Sequence, residues 1–500
     1  MNQIIASVSL IETKVALLEG QELVELYIDR KNSRRIVGNI YKGRVINVLP
    51  GMEAAFVDIG LEKNAFLYVK DALSEEMFNQ DVTKLKDLNI RELVKPGQEI
   101  VVQVIKEPIS SKGARVTRNI TLPGRYLVLM PYTDYVGVSR QIGNTAERDR
   151  LKSEIEEIKP ANMGIIVRTV AAGKEKEDFK DDIKFLLKLW LKIEKDKKLG
   201  YPPKTIYKDF DILNRTIRDT FTKSIERFVI DSPEAYQQSL ELVELISPHL
   251  KDKLKLYEEP IDIFEYYGIE SQIQKALEKK IWLQSGGYII IDLTEALTVI
   301  DVNTGKYVGS IDLEDTVFKT NMEATKEIAK QLRLRNIGGI IIMDFIDMTN
   351  PNQKQKVLEL LEKELSKDRT RTKVLGMTQL GLVEMTRKKV RDRIESTLQT
   401  KCPTCEGTGR ILCEQTMLTK LEKMMIRTQK HTNAAAAIVD VNPNTYEAMM
   451  VYRTVIEEIE LQTNIKVYFN KSSALSFDDL KVRSIGSIEM IQKLVDQKYS

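Results

Sequence analysis

Within these 500 residues, two aspartates and an asparagine stand where their spacing could do chemistry. Asp301 follows the apolar, β-branched run Ala296–Ile300, and Asp344 follows a second such run, Gly339–Met343. Short Ile- and Val-rich runs bounded by turn residues read as buried strands. Between them Leu313, Val317, Ala324, Ile328 and Leu332 recur at near-helical spacing, and Gly338-Gly339 is expected to close that helix. Strand, helix, strand is the crossover that makes two parallel neighbours, so both carboxylates are expected at one edge of one sheet. Two carboxylates at adjacent strand ends repel one another unless a cation sits between them. A hard cation with oxygen ligands, Mg²⁺, is the expected occupant. Asn303, two residues beyond Asp301, adds a carbonyl oxygen on the same side.

Other readings compete. An aspartate closing a strand also serves as a turn residue or helix cap. The run GGIIIMD imitates the metal-holding strand of P-loop ATPases, which requires a phosphate loop G-x-x-x-x-G-K-[ST]. Here Ile300 stands where the first glycine belongs and Tyr307 follows Gly305-Lys306, so the ATPase reading fails.

A second chemical signal is Cys402-Pro-Thr-Cys405 on a glycine-rich turn, a knuckle that delivers two thiolates to one Zn²⁺. A structural zinc takes four ligands, and no second knuckle follows. Cys413 and His431 could complete an in-chain site, although their spacing suggests no knuckle. Alternatively, two chains each donate one pair. A redox pair would sit at a helix start after a strand, which this one does not.

The bulk numbers bound the rest. Five hundred residues exceed one core and suggest three to five modules. With 76 basic against 73 acidic residues, any nucleic-acid contact must come from local patches. The N-terminus shows no basic, long-apolar leader, no apolar run approaches the ~20 residues of a membrane span, and three cysteines make no disulfide framework. A cytoplasmic protein is expected. In residues 38 to about 120, Tyr41, Phe56, Phe66 and Tyr68 are interleaved with Lys42, Arg44, Lys63, Lys112 and Arg115 on short, glycine-punctuated strands. Such strands suggest a small barrel, and stacking faces beside cations suit single-stranded RNA, unless the aromatics are core. Residues 73–92 read as an insertion in it. Arg387, Lys388, Lys389, Arg391 and Arg393 form a basic stretch that is expected to draw an RNA backbone toward the aspartates.

ALTVIDVNTG, TNMEATKEIAKQLRLRNIGGIIIMDFIDM, GLVEMTR and CPTCEGTG, in that order, strongly resemble the ribonuclease E/G family of bacterial endoribonucleases. The resemblance covers essentially the whole chain. It implies an Mg²⁺-dependent endoribonuclease that cuts single-stranded RNA, is stimulated by a 5′-monophosphate, and acts on rRNA precursors, tRNA precursors and mRNA in processing and decay. Asp301 and Asp344 would then hold Mg²⁺ with Asn303 assisting, and only two histidines, His249 and His431, disfavour a histidine-pair nuclease. The resemblance also implies that Arg168 and Thr169 sense the 5′-phosphate and that Val128 flanks the terminal base, with Arg140 a further RNA contact. Phe56, Phe66 and Lys112 fall on its substrate-contacting positions, and Arg387 and Lys388 join the expected RNA surface. Cys402 and Cys405 would share Zn²⁺ between protomers of a homodimer or larger homo-oligomer.

The fold it implies is multidomain, α/β and α+β. Residues 1–37 plus 210–278 would form an RNase H-like subdomain, 38–124 an OB-type S1 barrel and 125–209 a 5′-sensor domain. Residues 279–400 would form a DNase I-like catalytic domain, 401–414 the zinc link and 415–500 a small C-terminal α/β assembly domain. The long disordered tail carried by part of the family is expected to be absent. The lysine-rich helix in residues 174–200 reads as a solvated face. A non-catalytic RNA-binding scaffold is the alternative, and intact Asp301 and Asp344 argue against it.

Overall fold

The computed structural model describes all residues except 31–34, 74–88, 109–111, 306–312, 406 and 497–500. Most of the expected barrel insertion, and Lys306 and Tyr307 of the rejected phosphate loop, thus lie outside the described residues. Two compact units emerge, Met1–Thr397 and Leu398–Ser500, and among the described residues their strands form five sheets. No helix among those residues is long and apolar enough to cross a membrane.

In the first unit the N-terminal strands Asn2–Val8, Glu12–Glu19 and Glu22–Arg30 form an antiparallel meander. Their open edge is closed by Ile225–Ile230, which pairs parallel to the first strand, and by Leu254–Leu256 beyond it. The next five strands, Ile40–Leu49, Ala54–Asp58, Ala65–Tyr68, Arg115–Thr117 and Glu99–Lys106, close into a barrel because the last pairs back on the first. Closure removes the edges that such short strands would otherwise expose. The strand Lys204–Tyr207 adds to the barrel's first strand rather than to the four-stranded sheet of residues 122–167, so the barrel layer recruits sequence well beyond residue 124.

The sheet of the two aspartates orders its strands as Lys280–Trp282, Tyr288–Leu293, Leu297–Asn303, Gly339–Asp344, Leu382–Arg387 and Thr372–Met377. Leu297–Asn303 and Gly339–Asp344 run parallel, as the crossover requires, while the other neighbours are antiparallel. Period-two alternation sends Ile289, Ile291, Ile300, Val302, Ile341, Met343, Val383 and Met385 to one face, all buried. The helices Leu313–Leu334 and Pro351–Leu365 cover that face through Ala324, Ile328, Leu332, Val357 and Leu361. Each fully buried Ile or Leu there is worth about 1.5–3 kcal/mol relative to exposure. The crossover helix ends at Leu334 and turns through left-handed Asn336 (φ 51°), whose preceding turn takes the Ile337 N–H onto the Leu332 carbonyl at 3.1 Å. The stop therefore lies ahead of Gly338, because asparagine tolerates the left-handed turn.

Polar contacts fix this helix to the N-terminal meander. Arg333 places Nη2 2.9 Å from both Glu19 and Glu25. Burial pushes the Glu25 carboxyl up, but the Arg333 and Arg369 guanidiniums, with the Tyr27 hydroxyl, outweigh it and hold the group below the usual range. Cutting such a buried pair on one side costs roughly 3–5 kcal/mol.

In the second unit a three-stranded sheet, Lys466–Lys471, Ala436–Val441 and Leu480–Gly486, packs on the helix Glu414–His431 through Met417, Leu421 and Met425.

Candidate functional site

Asp301 and Asp344 are direct register partners on the two parallel strands. The face opposite the helices is open among the described residues, and it carries Asp301, Asn303 and Asp344, none of them buried. The Asn303 amide nitrogen donates to Asp301 Oδ2 at 2.8 Å, which leaves its carbonyl oxygen as the acceptor end of that side chain. Among the described residues no cation pairs with either carboxylate. Two register-matched carboxylates without a counter-charge, plus an amide oxygen, suit a hard divalent cation that keeps several waters. The described residues contain no cage of three or more His, Cys, Asp or Glu side chains, so the donor set is sparse.

The chain beyond Asp344 is held by a residue that periodicity did not reveal. Asn321, fully buried in the crossover helix, donates its amide to the Ile346 carbonyl (2.8 Å) and accepts the Ile346 N–H (3.1 Å). This two-point clamp fixes the backbone two residues past Asp344. Thr316, Thr320 and Thr325 are buried on the same helix, a polar set at helical spacing that was the available signal.

The basic stretch lies elsewhere than expected. Leu382–Arg387 runs antiparallel to Gly339–Asp344, pairing Leu382 with Asp344 and Arg387 with Gly339. Five residues of strand thus separate Arg387 from the aspartate end, roughly 16 Å. Arg387 is also not an outward cation, being 4% exposed. It binds Asp368 at 2.6 Å and the Ile337 carbonyl at 2.8 Å, tying the strand to the turn after the crossover helix. Lys388 and Lys389 are exposed, Lys389 lies against Gly338 and Gly339, and Arg391 stacks on Tyr27 at 3.9 Å.

On the barrel, Phe56 and Phe66 are register partners on the outer face, half-buried, with their rings edge-to-face at 6.0 Å. Tyr41 belongs to the core at 5% exposure. The flanking cations are partly neutralised, Lys42 and Arg44 by Glu99 and Arg115 by Asp71. Lys112 is exposed, and a Cβ on the adjacent Gly113 would lie 2.0 Å from the Asn64 carbonyl oxygen, so that approach requires glycine.

Arg168 follows the strand Gly164–Val167, and Val128 pairs with Ile166 on the neighbouring strand. Alternation puts Val128, Ile166 and Arg168 on one face. Arg168 Nη1 lies 2.7 Å from Asp219 Oδ1 and donates to the Gly124 carbonyl at 2.5 Å. Burial pushes Asp219 up, but the Arg218 and Arg168 guanidiniums prevail and keep it below the ordinary carboxylate range. The Thr169 hydroxyl is exposed and shares hydrogen bonds with Ser139 and Gln141, and Arg140 is exposed beside them. The lysine-rich helix Lys176–Lys197 does more than face solvent. Its Asp182, 6% exposed, accepts the N–H groups of Arg125, Tyr126 and Leu127 at 3.0, 2.8 and 2.9 Å. A Cβ on Gly124 would meet Asp182 Oδ1 at 2.5 Å, so the loop that presents Val128 is locked onto the helix.

In the second unit Cys402 and Cys413 are exposed and Cys405 is half-buried. The turn is a thiolate-friendly one. N–H groups of Cys405 and Thr404 and the Thr404 hydroxyl point at Cys402 and draw its thiol down to about 7, while Gly409 donates to Cys405 Sγ at 3.3 Å. Cys413 caps the helix whose far end is His431. Eighteen residues of helix put them about 27 Å apart, so they cannot both close one tetrahedron with the pair.

A sequence model of the ribonuclease E/G family matches residues 121–390. The chain is 42% identical over 480 residues to Ribonuclease G of Salmonella typhimurium, covering 96% of this chain and 97% of that one. To Ribonuclease G of Haemophilus influenzae it is 46% identical over 442 residues, 88% of this chain and 90% of that one. Ribonuclease E of Haemophilus influenzae is 35% identical over 487 residues, 97% of this chain but 52% of its own length.

Proposed function

The chain belongs to the ribonuclease E/G family, and on that premise we propose that it is an endoribonuclease that hydrolyses single-stranded RNA with Mg²⁺ at Asp301 and Asp344. The observation that carries the reading is the register match of the two carboxylates on an open sheet face, with Asn303 orienting Asp301. A bound Mg²⁺ would supply a lowered-pKa water and charge stabilisation at the scissile phosphate. Asp301 and Asp344 would hold the ion, Asn303 would fix the rotamer of Asp301, and Asn321 would keep the Asp344 segment in place. The proposed substrates are rRNA and tRNA precursors and mRNA, in the cytoplasm. The test is cleavage of an end-labelled single-stranded oligonucleotide with Mg²⁺ and with chelator. Cutting that persists in chelator would remove the metal from the reading.

The same reading makes Val128, Arg168 and Thr169 the 5′-phosphate pocket. Asp219 and the Gly124 carbonyl hold one edge of the Arg168 guanidinium, which orients its other N–H groups for a ligand. Arg168→Ala is expected to slow cleavage of 5′-monophosphorylated RNA by about tenfold, the loss of one charge-assisted contact. The rate with a 5′-hydroxyl end should stay within twofold. Equal slowing of both substrates would make Arg168 a structural partner of Asp219 instead.

Cys402 and Cys405 fit half a zinc site, and we assign the other half to a second protomer. Cys402→Ser with Cys405→Ser is expected to lose zinc and to weaken the dimer. The turn draws the Cys402 thiol down to about 7, which favours thiolate, and because protons compete with zinc for that thiolate the linkage should loosen as pH falls. Zinc per chain and native mass spectrometry decide: one ion per stable monomer overturns the shared site.

A further inference from the structure

The open face of the aspartate sheet carries an aromatic pair that the metal site does not use. Two cross-strand rows can be read from the registers. Lys280 pairs with Ile290, Ile290 with Asp301, and Asp301 with Asp344, while in the adjacent row Trp282 pairs with Tyr288 and Tyr288 with Asn303. Directly opposed residues share a face, so Lys280, Trp282 and Tyr288 lie on the side of the carboxylates. Burial agrees, since Ile289 and Val302 between them point into the core. Trp282 is 56% exposed and meets Tyr288 edge-to-face at 5.4 Å. The Lys280 ammonium sits 4.0 Å from the Trp282 ring centre and 3.7 Å from that of Tyr288. Among the described residues it has no carboxylate partner. Tyr288 also lies close to the backbone that leaves the site, where a Cβ on Gly305 would come within 3.2 Å of its ring.

We propose that Trp282, Tyr288 and Lys280 form a nucleotide subsite for the single-stranded RNA substrate, with Trp282 stacking on a base that flanks the scissile bond and Lys280 meeting a neighbouring phosphate. The inference rests on the endoribonuclease reading and adds to it a substrate-positioning element. Two strand spacings, roughly 10 Å, separate Trp282 from Asn303, a reach of a nucleotide or two. A half-exposed indole with a cation fixed at its face is the arrangement that single-stranded nucleic acid recognises, and stacking there tolerates any base. It also supplies the positive charge near the aspartates that the distant basic stretch does not. The carboxylates alone would repel the RNA backbone. Lys280 offsets that on the same face.

The chain's two tryptophans give a direct readout, since Trp190 is buried at 6% exposure beside Tyr132. In the cleavage-deficient Asp301→Asn protein, a single-stranded oligonucleotide is expected to quench tryptophan fluorescence, and adding Trp282→Phe should remove the quench. With Asp301 intact, Trp282→Ala should lower kcat/KM on single-stranded RNA by about tenfold, within the range that stacking supplies, and Trp282→Phe should recover most of it. An abasic nucleotide stepped along the substrate should cost the wild type about tenfold at one flanking position and cost Trp282→Ala nothing further there. Trp282→Ala that cuts at the wild-type rate, or that loses equally at every abasic position, overturns the subsite while leaving the nuclease reading intact. A wild type that cuts no RNA overturns the nuclease reading and the subsite with it, whereas Asp301→Asn that cuts as well as wild type takes the reacting centre off this face and overturns the subsite alone.

Discussion

Asp301→Asn is expected to lower kcat by about a thousandfold or more while leaving RNA affinity within a few-fold. The substitution removes one of two charges from the pair that would hold Mg²⁺, and metal stabilisation of a developing charge is worth several kcal/mol. It changes little else. Asparagine nearly matches aspartate in volume, and position 301 contributes to the fold chiefly through its backbone pairs with Ile290 and Asp344. The Asn303 amide would still find an oxygen at residue 301. Single-turnover cleavage and equilibrium binding of one oligonucleotide separate the two effects. Substantial Mg²⁺-supported activity in this variant would take Asp301 out of the site.

The second large effect is expected at a residue that touches neither substrate nor metal. Asn321→Ala removes both ends of the clamp on Ile346, leaving a carbonyl and an N–H without their partner. Each such loss costs about 1–3 kcal/mol where water cannot enter, so global stability should fall by roughly 3 kcal/mol. Activity should fall further than stability explains. Ile346 lies two residues beyond Asp344, and displacement of a catalytic group by about 1 Å can cost on the order of a hundredfold. Denaturant unfolding gives the first quantity. kcat, measured under conditions where circular dichroism shows a folded protein, gives the second. Asn321→Asp refines the test, because it keeps the acceptor for the Ile346 N–H and removes the donor to its carbonyl. If folded Asn321→Ala retains kcat within twofold, the clamp is structural and does not position Asp344.

Much of this protein is legible in the chain by itself. Two β-branched runs ending in aspartate, joined by a stretch at helical spacing, specify a parallel crossover. That follows from local periodicity and the steric limits on connections. The short strands of residues 40–68 and 99–117 likewise announce a barrel, and Cys402 and Cys405 on a glycine-rich turn announce a thiolate knuckle. Tertiary structure decided what local pattern does not encode. Arg387 and Lys388 read as a patch beside the aspartates, yet antiparallel pairing carries them to the other end of the sheet and buries Arg387 on Asp368. Strand direction is fixed by which distant strand supplies the hydrogen bonds, and composition is silent on that. Asp182 and Asn321 look in sequence like polar positions on amphipathic helices, but each satisfies backbone groups of a segment more than twenty residues away. A buried polar side chain is recognised by its partner, and the partner is chosen by packing. The register that sets Lys280, Trp282 and Tyr288 in rows with Asp301 and Asn303 is of the same kind. A slip of one residue in their strand would turn Lys280 and Trp282 toward the core, and the cost of burying a lysine there opposes it.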